Sequence, residues 1–221
     1  MTRLEVAIER IEKARIAYSR HQIIQLVAVS KYAGVEQIRA LYAEGQRAFG
    51  ENKAQDLGLK AEALDDLPIA WHFIGTLQKN KINKLIAQRP MLVHSIDSLE
   101  LAEAYHERLE RENKSQRALL QINSAREESK SGVDPDEAID IYHQIRTTCP
   151  SLKLEGVMTI GAHSSDRAVI QKSFEKTHTL FEQLQSAGAK TCSMGMSGDY
   201  ELAIACGANL VRLGSVLFDH D

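Results

Sequence analysis

The sequence predicts an α/β protein folded as a single (β/α)8 barrel with an extra N-terminal helix. Three observations carry this. Short apolar runs rich in β-branched residues recur eight times along the chain. Segments of helical period lie between them. No Gly-x-Gly-x-x-Gly turn follows the first run. Strands alternating with helices pair in parallel through crossover connections, and the closed barrel is the simplest such arrangement. A length of 221 residues falls within its range. The open doubly wound sheet is the alternative, and the missing glycine fingerprint counts against it.

Each element is justified by its own residues. Leu4, Ile8, Ile11 and Tyr18 make one face of an opening helix over about 2–19. Strands are expected at 26–30, 48–50, 71–75 and 92–96, then at 118–122, 154–160, 191–196 and 210–214. Each is too short for a helix and apolar enough to be buried on both faces. Ile38 and Leu41 mark the second helix, Leu57 and Leu64 the third, and Ile82, Leu85 and Ile86 the fourth. Leu99, Ala102, Tyr105 and Leu109 line a longer fifth. Ala138, Ile141, Tyr142 and Ile145 follow the i, i+3, i+4, i+7 pattern. A long helix near 167–187 is marked by Ile170, Phe174, Phe181 and Leu184, and 197–206 closes the series. Helix starts are expected at Ser98 and at Asp134-Pro135, with proline in the first helical position. Gly45 and Gly188 are expected to stop helices. The chain ends just past its eighth strand, so the opening helix is expected to cover the place of a final one. No linker or second domain is evident, and residues 1–221 read as one domain.

Composition narrows the function classes. Hydrophobic residues are 43% and charged residues 26%, which excludes a disordered chain or a disulfide scaffold. The net charge of −3 carries no basic stripe, so nucleic acid is not expected as a partner. Cys149, Cys192 and Cys206 are far apart and odd in number, as in a protein of a reducing compartment. Charges stud residues 1–20, no apolar run approaches a membrane span, and a soluble cytoplasmic protein is expected. The histidines show no ligand spacing with one another or with cysteine, so no structural zinc is expected. The cluster Lys79, Lys81 and Lys84 reads as a solvated helix face.

In a barrel the chemistry collects at the C-terminal ends of the strands. Lys31 directly follows the first strand. Buried at the barrel mouth, its amine would be neutral more readily and could attack a carbonyl; a solvated strand-end lysine is the plain alternative. The turns after strands seven and eight hold Ser197-Gly198 and Gly214-Ser215, where barrels frequently hold phosphate. Ser197 could also cap a helix beginning near Gly198. Arg212 sits inside an apolar run and needs a partner, either a ring nitrogen or an acid such as Glu51 or Asp199. A lysine, a phosphate cup and a ring-nitrogen partner describe a pyridoxal phosphate site. They equally describe a Schiff-base aldolase acting on a sugar phosphate.

Larger motifs add a resemblance. They are 27–31 (Val-Ala-Val-Ser-Lys), 49–52 (Phe-Gly-Glu-Asn), 72–75 (His-Phe-Ile-Gly) with Leu77-Gln78 and Asn80-Lys81, and 121–123 (Gln-Ile-Asn). Further on stand 129–132 (Ser-Lys-Ser-Gly), 156–158 (Gly-Val-Met), 194–197 (Met-Gly-Met-Ser) with Asp199, and 211–214 (Val-Arg-Leu-Gly) with Phe218. In this order the set resembles the pyridoxal phosphate homeostasis protein family, single-barrel relatives of the alanine racemase N-terminal domain, over about 4–218. The resemblance implies the fold-type III barrel of pyridoxal phosphate proteins and pyridoxal 5'-phosphate as cofactor. It implies that Lys31 forms the Schiff base, that Ser197, Gly198, Gly214 and Ser215 bind the phosphate, and that Arg212 faces the pyridine nitrogen. Asn52, His72 and Met196 are implied as neighbours of the cofactor. Lys130 is implied as a secondary contact, with a solvated loop lysine as the alternative. The chain departs from the family at Tyr32-Ala33-Gly34, where a Thr and a Pro are usual, at Thr76 in place of a common proline, and at Asp219 after Phe218.

Two functions of different class follow from the resemblance. A racemase needs a base on each face of the substrate carbon, and its second base comes from a second domain of a partner subunit. No such domain is expected here, and nothing in the sequence places Tyr32, Tyr105, Tyr142 or Tyr200 opposite Lys31. An arginine at the pyridine nitrogen also makes the ring a weaker electron sink. A non-catalytic carrier supplying the cofactor to apoenzymes needs neither, so no catalytic residue and a monomer are expected.

Overall fold

The eight apolar runs form eight parallel strands that close on themselves in chain order. The computed structural model describes residues 1–218. The strands are β1 (Gln25–Val29), β2 (Ala48–Glu51), β3 (Ala70–Phe73), β4 (Leu92–Ile96), β5 (Gln116–Gln121), β6 (Leu152–Met158), β7 (Thr191–Ser193) and β8 (Leu210–Leu213). The helices are α1 (Arg3–Tyr18), α2 (Val35–Ala43), α3 (Ala54–Ala63), α4 (Ile82–Gln88), α5 (Leu99–Arg111), α6 (Ala138–Thr148), α7 (Arg167–Leu184) and α8 (Tyr200–Ala205). The first strand closes against the last, with Val27 level with Arg212 and Ala28 with Leu213. Asp219 and His220 lie outside the described residues.

Two apolar layers hold this together. Inside the barrel, Val27, Leu92, Leu119, Met158 and Leu210 pack against one another. A larger core fills the space between strands and helices, with Phe49, Phe73, Phe174, Tyr105 and Tyr142 fully enclosed. Strand side chains alternate between the two layers because the pleat has a period of two.

The helix signals fare unevenly. Ser98 caps α5, its Oγ accepting the Leu101 N–H at 3.2 Å. Gly45 and Gly188 follow helical segments at φ 112° and 87°, the left-handed region that glycine enters without strain. Pro135 does not begin a helix. Residues 134–137 form a turn in which the Asp134 carboxylate accepts the Asp136 N–H, and α6 starts at Ala138. The seventh strand is half the expected length, because a left-handed Gly195 turns the chain out of the sheet. A Cβ there would lie 2.6 Å from the Ala203 Cβ, so only glycine permits this close join of β7 to α8.

The opening helix does take the flank beside α8. Arg10 forks onto Glu201 at 2.8 Å and lies over the Tyr200 ring, while Arg3 reaches the Phe218 carbonyl. Thr2 and Glu5 close a reciprocal capping box at its start. Among the described residues no helix is long and apolar enough to cross a membrane.

Candidate functional site

The C-terminal mouth gathers most of the residues predicted from sequence. β7, β8 and β1 are consecutive around the barrel, and their ends deliver Met196-Ser197-Gly198, Arg212 with Gly214-Ser215, and Lys31. Ser197 Oγ accepts the Gly214 N–H at 3.1 Å, which joins the two turns into one cup. This bond replaces the expected helix cap. Asp199 is the N-cap residue of α8, and its Oδ1 accepts the Met196 N–H at 2.6 Å. Gly198 and Ser215 are exposed, and a Cβ on Gly198 would meet nothing within 4 Å. Met196 is 39% exposed at the rim.

Arg212 is the electrostatic centre of this mouth. It is buried, and its guanidinium donates to Ser193 Oγ at 2.6 Å and to the Thr159 carbonyl at 2.9 Å. Neither expected acid pairs with it. Burial lowers its pKa to about 10, opposed by the field of Asp199. The guanidinium is therefore a buried charge held by neutral acceptors, which suits an electron-rich ring nitrogen placed against it.

Glu51 is committed elsewhere. It is wholly buried, accepts from Lys60 Nζ at 2.7 Å and the Ser30 hydroxyl at 2.6 Å, and its Oε2 has no partner among the described residues. Lys60 also donates to the Ser30 carbonyl at 2.7 Å. This triad pins the residue before Lys31 from behind the sheet. Lys60 has no motif around it; only its place one helix after Glu51 could have suggested it.

Lys31 itself is exposed, so the burial expected of it is not met. It lies beyond the last strand residue, past the layer that covers Ser30, and its ammonium stands 4.9 Å from the Tyr32 ring centroid. Asn52 is half-buried at the end of β2 and packs against the turn after β3, where a Cβ on Gly75 would fall 2.0 Å from its carbonyl oxygen. Lys130 is not a free loop lysine. It bonds Glu127 and the Gly161 carbonyl, each at 2.8 Å.

His72 does not stand at this mouth. The stagger of the barrel sets it level with Leu92, the first residue of β4, and it lines a cavity at the N-terminal end. Its Nδ1 lies 2.9 Å from His94 Nε2, and His94 Nδ1 lies 3.2 Å from Ser193 Oγ. His94 drew no attention in the sequence, yet it is the middle of a buried polar track from His72 to Arg212. The missed signal is a polar residue at an inward position of an apolar strand, the same signal that picked out Arg212.

The family model described as "Alanine racemase, N-terminal domain" matches residues 9–220. A pyridoxal phosphate homeostasis protein of Helicobacter pylori (strain J99) is 56% identical over 216 residues, covering 98% of this chain and 96% of that protein. The human protein of that name is 38% identical over 207 residues, covering 88% of this chain and 75% of that protein. The chain belongs to the pyridoxal phosphate homeostasis protein family. Among solved structures, PipY of Synechococcus elongatus PCC7942 with PLP bound superposes on it with a TM-score of 0.80 at 34% identity. That match covers 95% of this chain and 100% of PipY. An alanine racemase of Clostridium difficile 630 shares the fold alone, with a TM-score of 0.74 at 17% identity over 99% of this chain and 56% of the racemase.

Proposed function

We propose that this chain binds pyridoxal 5'-phosphate at the C-terminal mouth and acts as a cytoplasmic, monomeric carrier that supplies the cofactor to apoenzymes without robust catalysis. One observation carries the reading. The joined Ser197–Gly214 turns, the buried Arg212 and the exposed Lys31 come from three consecutive strands and meet at one mouth. When bound, the cofactor supplies an aldehyde open to an amine and a ring that draws electrons. Lys31 supplies that amine. Ser197 and Ser215 hold the phosphate through hydroxyl donors and Gly198 through its backbone N–H, while Gly214 fixes the cup by donating its own N–H to Ser197. Arg212 donates to the ring nitrogen and opposes its protonation. Asn52 and Met196 border the ring, and His72 acts only through the track behind Arg212. Residues 1–221 form the one domain this requires.

The carrier is favoured over a racemase because, among the described residues, none of Tyr32, Tyr105, Tyr142 and Tyr200 is placed as a second base across from Lys31. Tyr105, Tyr142 and Tyr200 are each enclosed in the core. Tyr32 is exposed but adjoins Lys31 instead of standing across from it.

The test is the visible spectrum of the protein with added cofactor, followed by borohydride reduction and mass mapping. A chromophore and an adduct on Lys31, both absent in Lys31→Ala, are expected. Transfer of the cofactor to an apoenzyme completes the carrier assignment. Inversion of alanine at rates typical of enzymes, roughly 1–1000 s⁻¹, would replace it with the racemase reading.

A further inference from the structure

We infer that the N-terminal mouth of the barrel, opposite the cofactor end, is a second binding site for a small oxyanion. The starting point is the direction of the hydrogen bonds in the buried track. Arginine only donates, so Ser193 Oγ accepts from Arg212. The Ser193 hydroxyl then gives its own hydrogen to His94 Nδ1, the remaining neighbour within reach. That makes His94 Nε2 the protonated nitrogen, which donates to His72 Nδ1. His72 must then carry its hydrogen on Nε2. This nitrogen has no hydrogen-bond partner among the described residues and is not among the fully enclosed orphan atoms. It opens into the cavity that His72 lines, and it opens there as a donor.

The cavity is of matching chemistry. Its volume is about 410 Å³, and its lining includes Arg47, Arg117, Gln25, Gln46 and Thr191 beside His72, with no carboxylate. Arg117 gives Nε and Nη2 to Glu155, and Arg47 gives Nη1 to the Tyr42 carbonyl, which leaves each with further N–H groups. The field of Arg117 reaches His72, where it adds to burial in opposing a proton on the ring. Two guanidiniums, that of Arg117 shared with Glu155, and a neutral imidazole N–H beside a pocket of mixed polar and apolar lining favour an oxyanion over a cation. The imidazole is buried apart from its edge on the cavity and is fixed by the track, so the donor is preorganised. The site does not depend on the cofactor reading, though the track ends on Arg212 and ties the two mouths together.

The experiment titrates inorganic phosphate into the protein saturated with pyridoxal phosphate, at constant ionic strength, following the imidazole ¹⁵N resonances. Saturable binding that shifts His72 is expected, the same with and without pyridoxal phosphate, and weakened about tenfold in Arg117→Gln for the loss of one charged donor. Arg117 is about half exposed and its pair with Glu155 lies at the barrel surface, so Arg117→Gln is expected to keep the fold, which circular dichroism verifies. A titration without saturation, or one that Arg117→Gln leaves intact, overturns the proposal. Binding seen in the cofactor-free protein and lost once pyridoxal phosphate saturates it overturns the proposal as well, by placing the phosphate at the other mouth.

Discussion

Lys60 and Glu51 show how one residue pair can fix the place of a functional neighbour. Glu51 is wholly enclosed, and among the described residues Lys60 is its one cationic partner. Removing the lysine leaves a buried carboxylate without compensation, a change worth about 3–5 kcal/mol. Lys60→Met is therefore expected to lower the urea midpoint strongly, and Lys60→Met with Glu51→Gln to recover part of the loss. The pair also holds both the carbonyl and the hydroxyl of Ser30, so the single variant is expected to loosen the backbone that carries Lys31. Nothing in the sequence pattern announced this, because the partners sit on a strand and a helix with no shared periodicity.

At the scale of elements, what was legible follows from which signals are local. Ser98 caps α5 because a cap needs only its own first turn. Pro135 satisfies an equally local rule, yet the Asp134 turn takes the same residues first, and the helix waits for Ala138. The eight strands were legible from their apolar runs, and Arg212 from its misfit inside one. The position of His72 was not, since it depends on the stagger between β3 and β4, a property of the closed sheet. The exposure of Lys31 was not legible either, because burial at a strand end depends on how far the next layer extends. The corner between β2 and β3 yields a further expectation. Gly75 allows its backbone to touch Asn52, and a methyl group there would overlap the Asn52 carbonyl. Gly75→Ala is expected to cost about 1–3 kcal/mol in urea unfolding and to weaken cofactor binding by displacing Asn52. An unchanged cofactor titration would remove Asn52 from the site.

At the scale of the whole molecule, the track makes stability depend on acid. Burial lowers the His72 pKa from 6.5 to about 4, and burial with the fields of His72 and Arg212 holds His94 well below its usual value. The unfolded chain takes up these protons below about pH 6.5 while the native barrel refuses them. Stability is thus full above that pH and is lost as pH falls toward 4, by about 3 kcal/mol for His72 alone. Urea midpoints measured across this window are expected to fall, and His72→Gln to flatten the fall. A second whole-molecule consequence comes from the pairing of the first strand with the last. During synthesis β1 leaves the ribosome well before β8, the eighth strand, and must wait for it. Until then the growing sheet is an open ribbon with two unpaired edges, and α1 has no α8 to rest upon. The nascent chain is thus most in need of a chaperone just before β8 emerges, and ring closure is the event that ends its exposure.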